Sequence, residues 1–210
     1  MIIVTLGYHC NITFLNQRLK IKKQTGVFEW FESRKLTYIT DVINYKLKDK
    51  NSNVVYGVNP VYLLNRHLYS WHYKINDYIP IFERRFQRFI INIKEHEDIF
   101  FIRFNILNSK TSVEEINNFI NSIRIINNNI RIKFLLIDTV RSNEQFNPIK
   151  INNIKNVEFY NFFFTSTEIN GDVYCKKNDI LEKYKNILSK CGICVENEIC
   201  NKEFNDRSDY

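Results

Sequence analysis

Hydrophobic and polar positions fall in blocks along the chain that predict strands and helices in turn. The apolar run at residues 2–6 is short and β-branched, which is typical of a buried strand, and apolar residues then recur at helical spacing through residues 10–20. The same spacing across residues 33–48 predicts a second helix. Residues 54–74 are aromatic without a clear period, so we expect short strands or loops there.

From Pro80 onward, helices and strands alternate more regularly. Pro80 opens an amphipathic helix, and a strand follows at residues 99–104. The capping box Thr111-x-x-Glu114 then begins a helix that leads into a strand at residues 132–137. Because a strand–helix–strand unit joins parallel strands, this order predicts a parallel pair.

A further strand near residues 157–163 and a helix near residues 180–189 complete the alternation. We predict an α/β fold with a mainly parallel sheet flanked by helices on both faces and a helical, aromatic-rich N-terminal half. At 210 residues the chain can bury one substantial core, and it has no linker rich in proline, glycine or serine. We therefore expect a single domain over residues 1–200 and a flexible tail at residues 201–210.

Composition and charge narrow the functional classes. Hydrophobic residues make up 44% and charged residues 25%, as in ordinary globular proteins, and the net charge of +7 would favour an acidic or phosphate-bearing partner. No window has the roughly 18 apolar residues of a membrane span, and no signal-peptide pattern opens the chain, so we expect a cytoplasmic protein. The sequence lacks nucleic-acid-binding motifs and the glycine motifs of nucleotide folds, which argues against sequence-specific nucleic-acid binding.

Cys10 stands where the first strand gives way to the first helix. Unpaired N–H groups and the helix dipole favour a thiolate there, and the same donors can hold an oxyanion formed on a substrate carbonyl. Cys10 is therefore a candidate nucleophile, and Gly7 and Asn11 are candidates for oxyanion or substrate positioning. A small buried cysteine filling a tight turn is the alternative. Asn105 and Asp138 fall at other strand ends, where parallel sheets form their sites.

Four sequence blocks, in the expected order over roughly the first half of the chain, resemble a family described as papain-like cysteine peptidases. They are the LG-x-x-C segment at residues 6–10, the F-E-W segment at residues 28–30, the W-H pair at residues 71–72 and the R-R-x-x-R-F segment at residues 84–89. The family has P-F-D-W in the second block and often an aspartate after the histidine, so this chain differs from it at Val27, Glu29 and Tyr73.

The resemblance implies that Cys10 is the nucleophile and His72 its general base, with a peptide or another acyl bond as substrate. Three acids are candidates for the group that orients the histidine: Asp138, Asp77 and Glu29. Asp138 is the best placed, at a predicted strand exit. A histidine in an aromatic stretch is also commonly a packed or surface residue, and His9, beside Cys10, is a competing base.

Glu29 is in addition a candidate for substrate positioning, although the aromatic residues around it can equally form a simple hydrophobic anchor. Arg84, Arg85 and Arg88 cluster on the polar face of the helix that Pro80 opens. They are candidates to bind a phosphate or carboxylate, as in a nucleotide or a sugar phosphate. A basic helix face is also commonly only solvated.

The C-terminal cysteines favour neither zinc nor redox chemistry. The pair Cys191-x-x-Cys194 follows a predicted helix, whereas a redox pair normally opens one, and Cys175 and Cys200 do not form the second close pair of a zinc site. We expect reduced cysteines, no metal and no cofactor.

These features together favour a cysteine-dependent hydrolase that attacks an amide or ester bond through a Cys10–His72 dyad. One alternative is a non-hydrolytic α/β transferase or a domain that binds an anion or nucleotide sugar, with residues 7–10 approaching a phosphate. The other is a catalytically inactive interaction protein. Reactivity of Cys10 and its proximity to His72 separate the three.

Overall fold

The computed structural model describes residues 1–7, 10–21, 24–57, 60–64, 68–105, 107, 109–151, 153–170 and 177–195. His9, Cys175, Cys200 and the predicted tail at residues 201–210 lie outside the described residues, as does the side chain of Cys10. The elements in chain order are β1 (Ile2–Thr5), α1 (Cys10–Arg18), β2 (Glu32–Ser33), α2 (Leu36–Lys48), β3 (Val55–Tyr56), β4 (Val61–Leu63), β5 (Leu68–Ser70), α3 (Ile75–Glu95), β6 (Asp98–Asn105), α4 (Val113–Ile126), β7 (Arg131–Val140), β8 (Val157–Thr165), α5 (Ser166–Asn170) and α6 (Asn178–Lys190).

The larger sheet has the order β1-β6-β7-β8, with every neighbouring pair parallel. The predicted parallel pair, β6 and β7, is therefore confirmed, as is the α/β class. Successive residues of a strand point to opposite faces, so β6 divides its side chains between two cores. Phe101 packs in the core covered by α2, α3 and α4, and Phe100 packs in the core covered by α1 and α6. Helices thus flank both faces, as the sequence predicts.

A smaller antiparallel sheet has the order β2-β5-β4-β3. The sequence predicts short strands or loops in this region but not their assembly, because strands of two or three residues are too short to show a period. Val55, Leu63 and Leu68 from this sheet belong to the same hydrophobic core as Val4 and Phe101 of the larger one. The two sheets therefore share one core.

Helix α3 begins at Ile75, five residues before the position that the sequence predicts, and Pro80 lies inside it. The reason is tertiary: Tyr78 is fully buried, and its hydroxyl donates to the carbonyl oxygen of Val27 at 3.1 Å. Packing of this early turn against the core outweighs the preference of proline for a helix start.

The capping box of α4 lies one residue later than predicted. The Ser112 hydroxyl accepts from the Glu115 N–H at 3.1 Å, and the Glu115 carboxylate accepts from the Ser112 N–H at 2.9 Å. Thr111 instead donates its hydroxyl to Asn105 at 3.0 Å. Of the helices in the described ranges, none combines the length and the apolar character that crossing a membrane requires.

Candidate functional site

A network of polar side chains joins the neighbouring strands β6, β7 and β8. Asn105 Nδ2 donates to one carboxylate oxygen of Asp138 at 2.9 Å, and Asn161 Nδ2 donates to the other at 2.8 Å. Asn105 lies directly opposite Asp138 in register and is the last residue of β6, as predicted. Asp138 is not at a strand exit as predicted, because pairing with β8 extends β7 two residues further, to Val140. Asn161 is not among the residues predicted from the sequence. The one feature of the sequence that could have indicated it is a single amide side chain within the aromatic strand β8.

Arg103 extends this network toward β1. Its side chain is fully buried, and the guanidinium donates to Leu6 O at 2.8 Å, Ser33 O at 2.5 Å and Asn105 Oδ1 at 3.2 Å. A buried guanidinium requires such acceptors, because an unpaired buried charge costs several kcal/mol. Arg103 thereby ties the end of β1 to the start of the smaller sheet. The sequence signal was a single cation inside the apolar strand β6.

Gly7 occupies the left-handed region, with φ of +50°. A Cβ at this position would lie 3.1 Å from Phe31 O and 3.3 Å from Phe28 O, so only glycine fits without displacing the backbone. Gly7 therefore packs directly on the segment that carries Glu29 and Trp30.

Cys10 is the first residue of α1, in agreement with the predicted first helix. The first turn of a helix presents N–H groups without helical partners, and these favour an anion. Asn11, the next residue, is almost completely buried. Cys10 and Asn11 thus lie in a helix turn whose N–H groups have no helical partners.

Two aromatic side chains, Trp30 and Phe14, connect His72 with α1. It follows β5 by two residues, and its N–H donates to Ser70 Oγ at 3.2 Å. Its ring centroid lies 4.9 Å from that of Trp30, and Trp30 packs edge-on against Phe14 with centroids 5.2 Å apart. Phe14 is four residues after Cys10 in α1, and residues at this spacing share a helix face. His72 is therefore linked to α1 through Trp30 and Phe14.

Glu29 is buried in the turn at residues 27–30. It is 1% exposed, and its Oε1 lies 3.1 Å from where a Cβ of Gly26 would be. Burial raises the pKa of Tyr78 well above its ordinary value, and the negative charge of Glu29 contributes in the same direction. Burial and the charges of neighbouring arginines lower the pKa of Arg88, while Glu29 opposes that shift. The charge of Glu29 is thus felt by Tyr78 and Arg88 of α3, whereas Trp30 beside it lies against His72.

The three candidate arginines do not share one environment. Arg84 is exposed and Arg88 half-buried, but Arg85 is 2% exposed, so the prediction that all three share a polar face is wrong for Arg85. Arg85 Nη1 donates to the Tyr73 hydroxyl at 2.8 Å, and its guanidinium lies 5.5 Å from the centre of that ring. A cation–π contact of this kind, together with the hydrogen bond, makes burial of the guanidinium tolerable.

Asp138 and His72 are not brought together. Within the described part of the chain, both carboxylate oxygens of Asp138 are held by Asn105 and Asn161, and no hydrogen bond joins Asp138 to His72. Asp77, the rival acid, is exposed in the first turn of α3. Among the described residues, no three histidine, cysteine or acidic side chains are grouped so that they could hold a metal ion.

The two described C-terminal cysteines are free thiols in different environments. Cys191 is buried, and burial raises its pKa to about 12. Cys194 is exposed.

Comparison of the chain with protein-family models, with curated proteins and with solved structures found no significant match. Function is therefore inferred from the residues themselves and from their geometry.

Proposed function

We propose that the protein is a cysteine-dependent hydrolase in which Cys10 attacks an amide or ester carbonyl and His72 acts as its general base. The observation that carries the proposal is the aromatic chain from His72 through Trp30 to Phe14, one helical turn from Cys10. The resemblance of the sequence blocks around Cys10 and His72 to papain-like cysteine peptidases supports the same two roles.

The chemistry needs only the groups named. The imidazole takes the thiol proton, the thiolate sulfur forms a bond to the carbonyl carbon, and the oxyanion is held by N–H donors of the first turn of α1. Collapse breaks the bond to the leaving amine or alcohol, which takes the proton back from the imidazolium. Water then hydrolyses the thioester, with the imidazole again as base, and releases the acid.

Asp138 enters this proposal as a positioning residue. The Asp138 carboxylate accepts a hydrogen bond from the side-chain amide of Asn105. The oxygen of the same amide accepts from the Arg103 guanidinium, which also donates to the carbonyl oxygen of Leu6, the residue before Gly7. The same guanidinium donates to Ser33 O, three residues after Trp30. The network therefore links Leu6, which precedes Gly7, and Ser33, which follows Trp30, to strands β6 and β7.

We expect an acyl substrate, such as a peptide, and action in the cytoplasm. A thiol nucleophile works only while reduced, which suits that compartment. The free thiols of Cys191 and Cys194 support this expectation.

The test is the pH dependence of Cys10 alkylation by iodoacetamide, measured by peptide mass spectrometry. We expect rapid labelling with an apparent pKa well below the ordinary thiol value of about 8.5, lost in His72→Ala. His96→Ala is the matched control, because it removes another described histidine, the one directly after the last residue of α3. In this variant Cys10 should be labelled as in the wild type. Slow labelling that does not depend on His72 would contradict the dyad and leave Cys10 as a packing residue.

A further inference from the structure

A cavity of about 420 Å³ lies beside the edge of β1. Within the described residues β1 is an outer strand of the larger sheet, and the cavity is lined by residues 1–4, the opposite end of the strand from Gly7. The other walls come from residues 24–27 and from α3. A volume of this size is in the range of small-molecule sites.

The lining combines cationic and apolar groups. Arg85 and Arg88 line the cavity from α3, and Phe89 and Val27 add apolar surface. Arg88 Nη2 donates to Thr25 O at 2.6 Å. A guanidinium carries five N–H donors, so this bond leaves Arg88 further donors for a planar oxyanion.

Among the described residues, the charged side chains that act on Arg88 carry more positive than negative charge. Arg84, Arg85 and Arg88 stand on one stretch of α3, and Glu29 is the one carboxylate that opposes the shift in the pKa of Arg88 among the described residues. Glu83, the acid next to Arg84 in sequence, is instead paired with the buried Lys46 at 2.9 Å. A bound anion would therefore relieve the repulsion between the buried guanidinium group of Arg85 and the half-buried one of Arg88.

We propose that this cavity binds a small anion with an apolar body, whose phosphate or carboxylate group pairs with Arg85 and Arg88. The apolar body packs between Phe89 and the edge of β1. Arginine is suited to this ligand class because its fork matches both oxyanions bidentately. The site is distinct from the proposed Cys10–His72 reaction, since His72 is not among the described residues that line the cavity.

The experiment is isothermal titration calorimetry of the full chain at constant ionic strength. Phenyl phosphate and benzoate are the two anionic probes, and benzyl alcohol is their neutral counterpart. We expect one anion to bind at least tenfold more tightly than benzyl alcohol, and the tighter of the two identifies the head group as phosphate or carboxylate.

Two variants and one control decide whether the cavity is the site. Arg88→Met removes a lining cation, and Asn92→Glu places a carboxylate on the cavity wall four residues along α3. Each should weaken the tighter anion at least tenfold. Arg84→Met removes an exposed cation outside the lining and should change its Kd less than twofold.

Three outcomes would overturn the proposal: no binding of either anion to the wild type, wild-type affinity in Asn92→Glu, or an equal loss in Arg84→Met and Arg88→Met. The last would mean attraction to a basic surface without a site. Circular dichroism checks the fold of each variant, and Asn92→Glu keeps the test decisive if Arg88→Met unfolds.

Discussion

The imidazole of His72 rests on the indole of Trp30, with ring centroids 4.9 Å apart and ring planes inclined at 57°. Trp30 is itself buried and has a φ of +67°, a conformation that costs free energy in a residue other than glycine. The surrounding structure therefore holds Trp30 in place, and the buried indole gives the exposed His72 ring a surface to pack on.

Removal of the Trp30 ring should impair the proposed reaction through His72. We expect Trp30→Leu to slow Cys10 alkylation at neutral pH about tenfold, because a general base that loses its support no longer meets the thiol proton in the correct geometry. Trp30→Phe keeps an aromatic contact and should recover most of the rate. The measurement is the alkylation rate of the Cys10 peptide.

Trp71→Leu is the matched control for Trp30, because Trp71 adjoins His72 but is 63% exposed. It should label at the wild-type rate. If Trp30→Leu also labels at that rate, the aromatic chain has no part in placing His72.

Arg103 should be among the costliest side chains of the fold to remove. Arg103→Met leaves the carbonyl oxygens of Leu6 and Ser33 buried without their charged donor, and we expect a loss of about 3–5 kcal/mol in the free energy of unfolding. Urea denaturation followed by circular dichroism measures it. Arg84→Met, an exposed substitution on α3, should stay within about 0.5 kcal/mol of wild type. Similar midpoints for the two variants would refute the assigned role.

Asp138→Asn separates a positioning role from direct contact with His72. The new amide would present N–H groups to Asn105 or Asn161, both of which donate to position 138, so we expect a stability loss of about 1–3 kcal/mol. As a positioning residue, Asp138 should also affect the rate of Cys10 alkylation while leaving its apparent pKa unchanged. A raised apparent pKa would instead mean that Asp138 acts on His72 itself.

Asp77→Asn is the companion variant, because Asp77 is the exposed rival for the acid of the site. It should leave both the stability and the pH profile unchanged. A shift in the pH profile with this variant alone would assign the orienting role to Asp77.

Cys191 and Cys194 provide internal references for every labelling experiment. Because burial raises the pKa of Cys191 to about 12, it should stay unlabelled at pH 9 in the folded protein, whereas the exposed Cys194 reacts. The fold favours the neutral thiol of Cys191, so the stability it contributes is complete below the ordinary pKa of 9.0 and is lost as the pH rises toward about 12. Equal labelling of the two in folded protein would show that Cys191 is accessible.

The main sheet and its helices could be predicted because each has a long, periodic pattern. Strands β6, β7 and β8 are eight to ten residues long, and α4 and α6 carry apolar residues at helical spacing. The predictions were wrong at the starts of α3 and α4, which were placed by Pro80 and by the capping box. Alternative starting residues of a helix differ little in free energy, so tertiary packing decides between them.

The candidate site was only partly predictable. A cysteine at a helix start and an amide at a strand end are local features, which is why Cys10 and Asn105 could be placed from the chain alone. Asp138 was placed only approximately, because β7 continues to Val140. Arg103 and Asn161 gave only the weak signal of a polar residue within an apolar strand. Their partners lie on other elements, and a sequence pattern carries no information about them.

By itself, the sequence determined the order of the main elements, the parallel α/β sheet and the position of Cys10 at the start of α1, because these follow from local periodicity and chain connectivity. Only the tertiary structure decided that His72 lies on Trp30, that Arg85 is buried against Tyr73 and that Arg103 spans from β6 to Leu6 and Ser33. These contacts join residues far apart in the chain. They form because side chains from separate elements must satisfy one another's charges, hydrogen bonds and apolar surfaces once the core has closed.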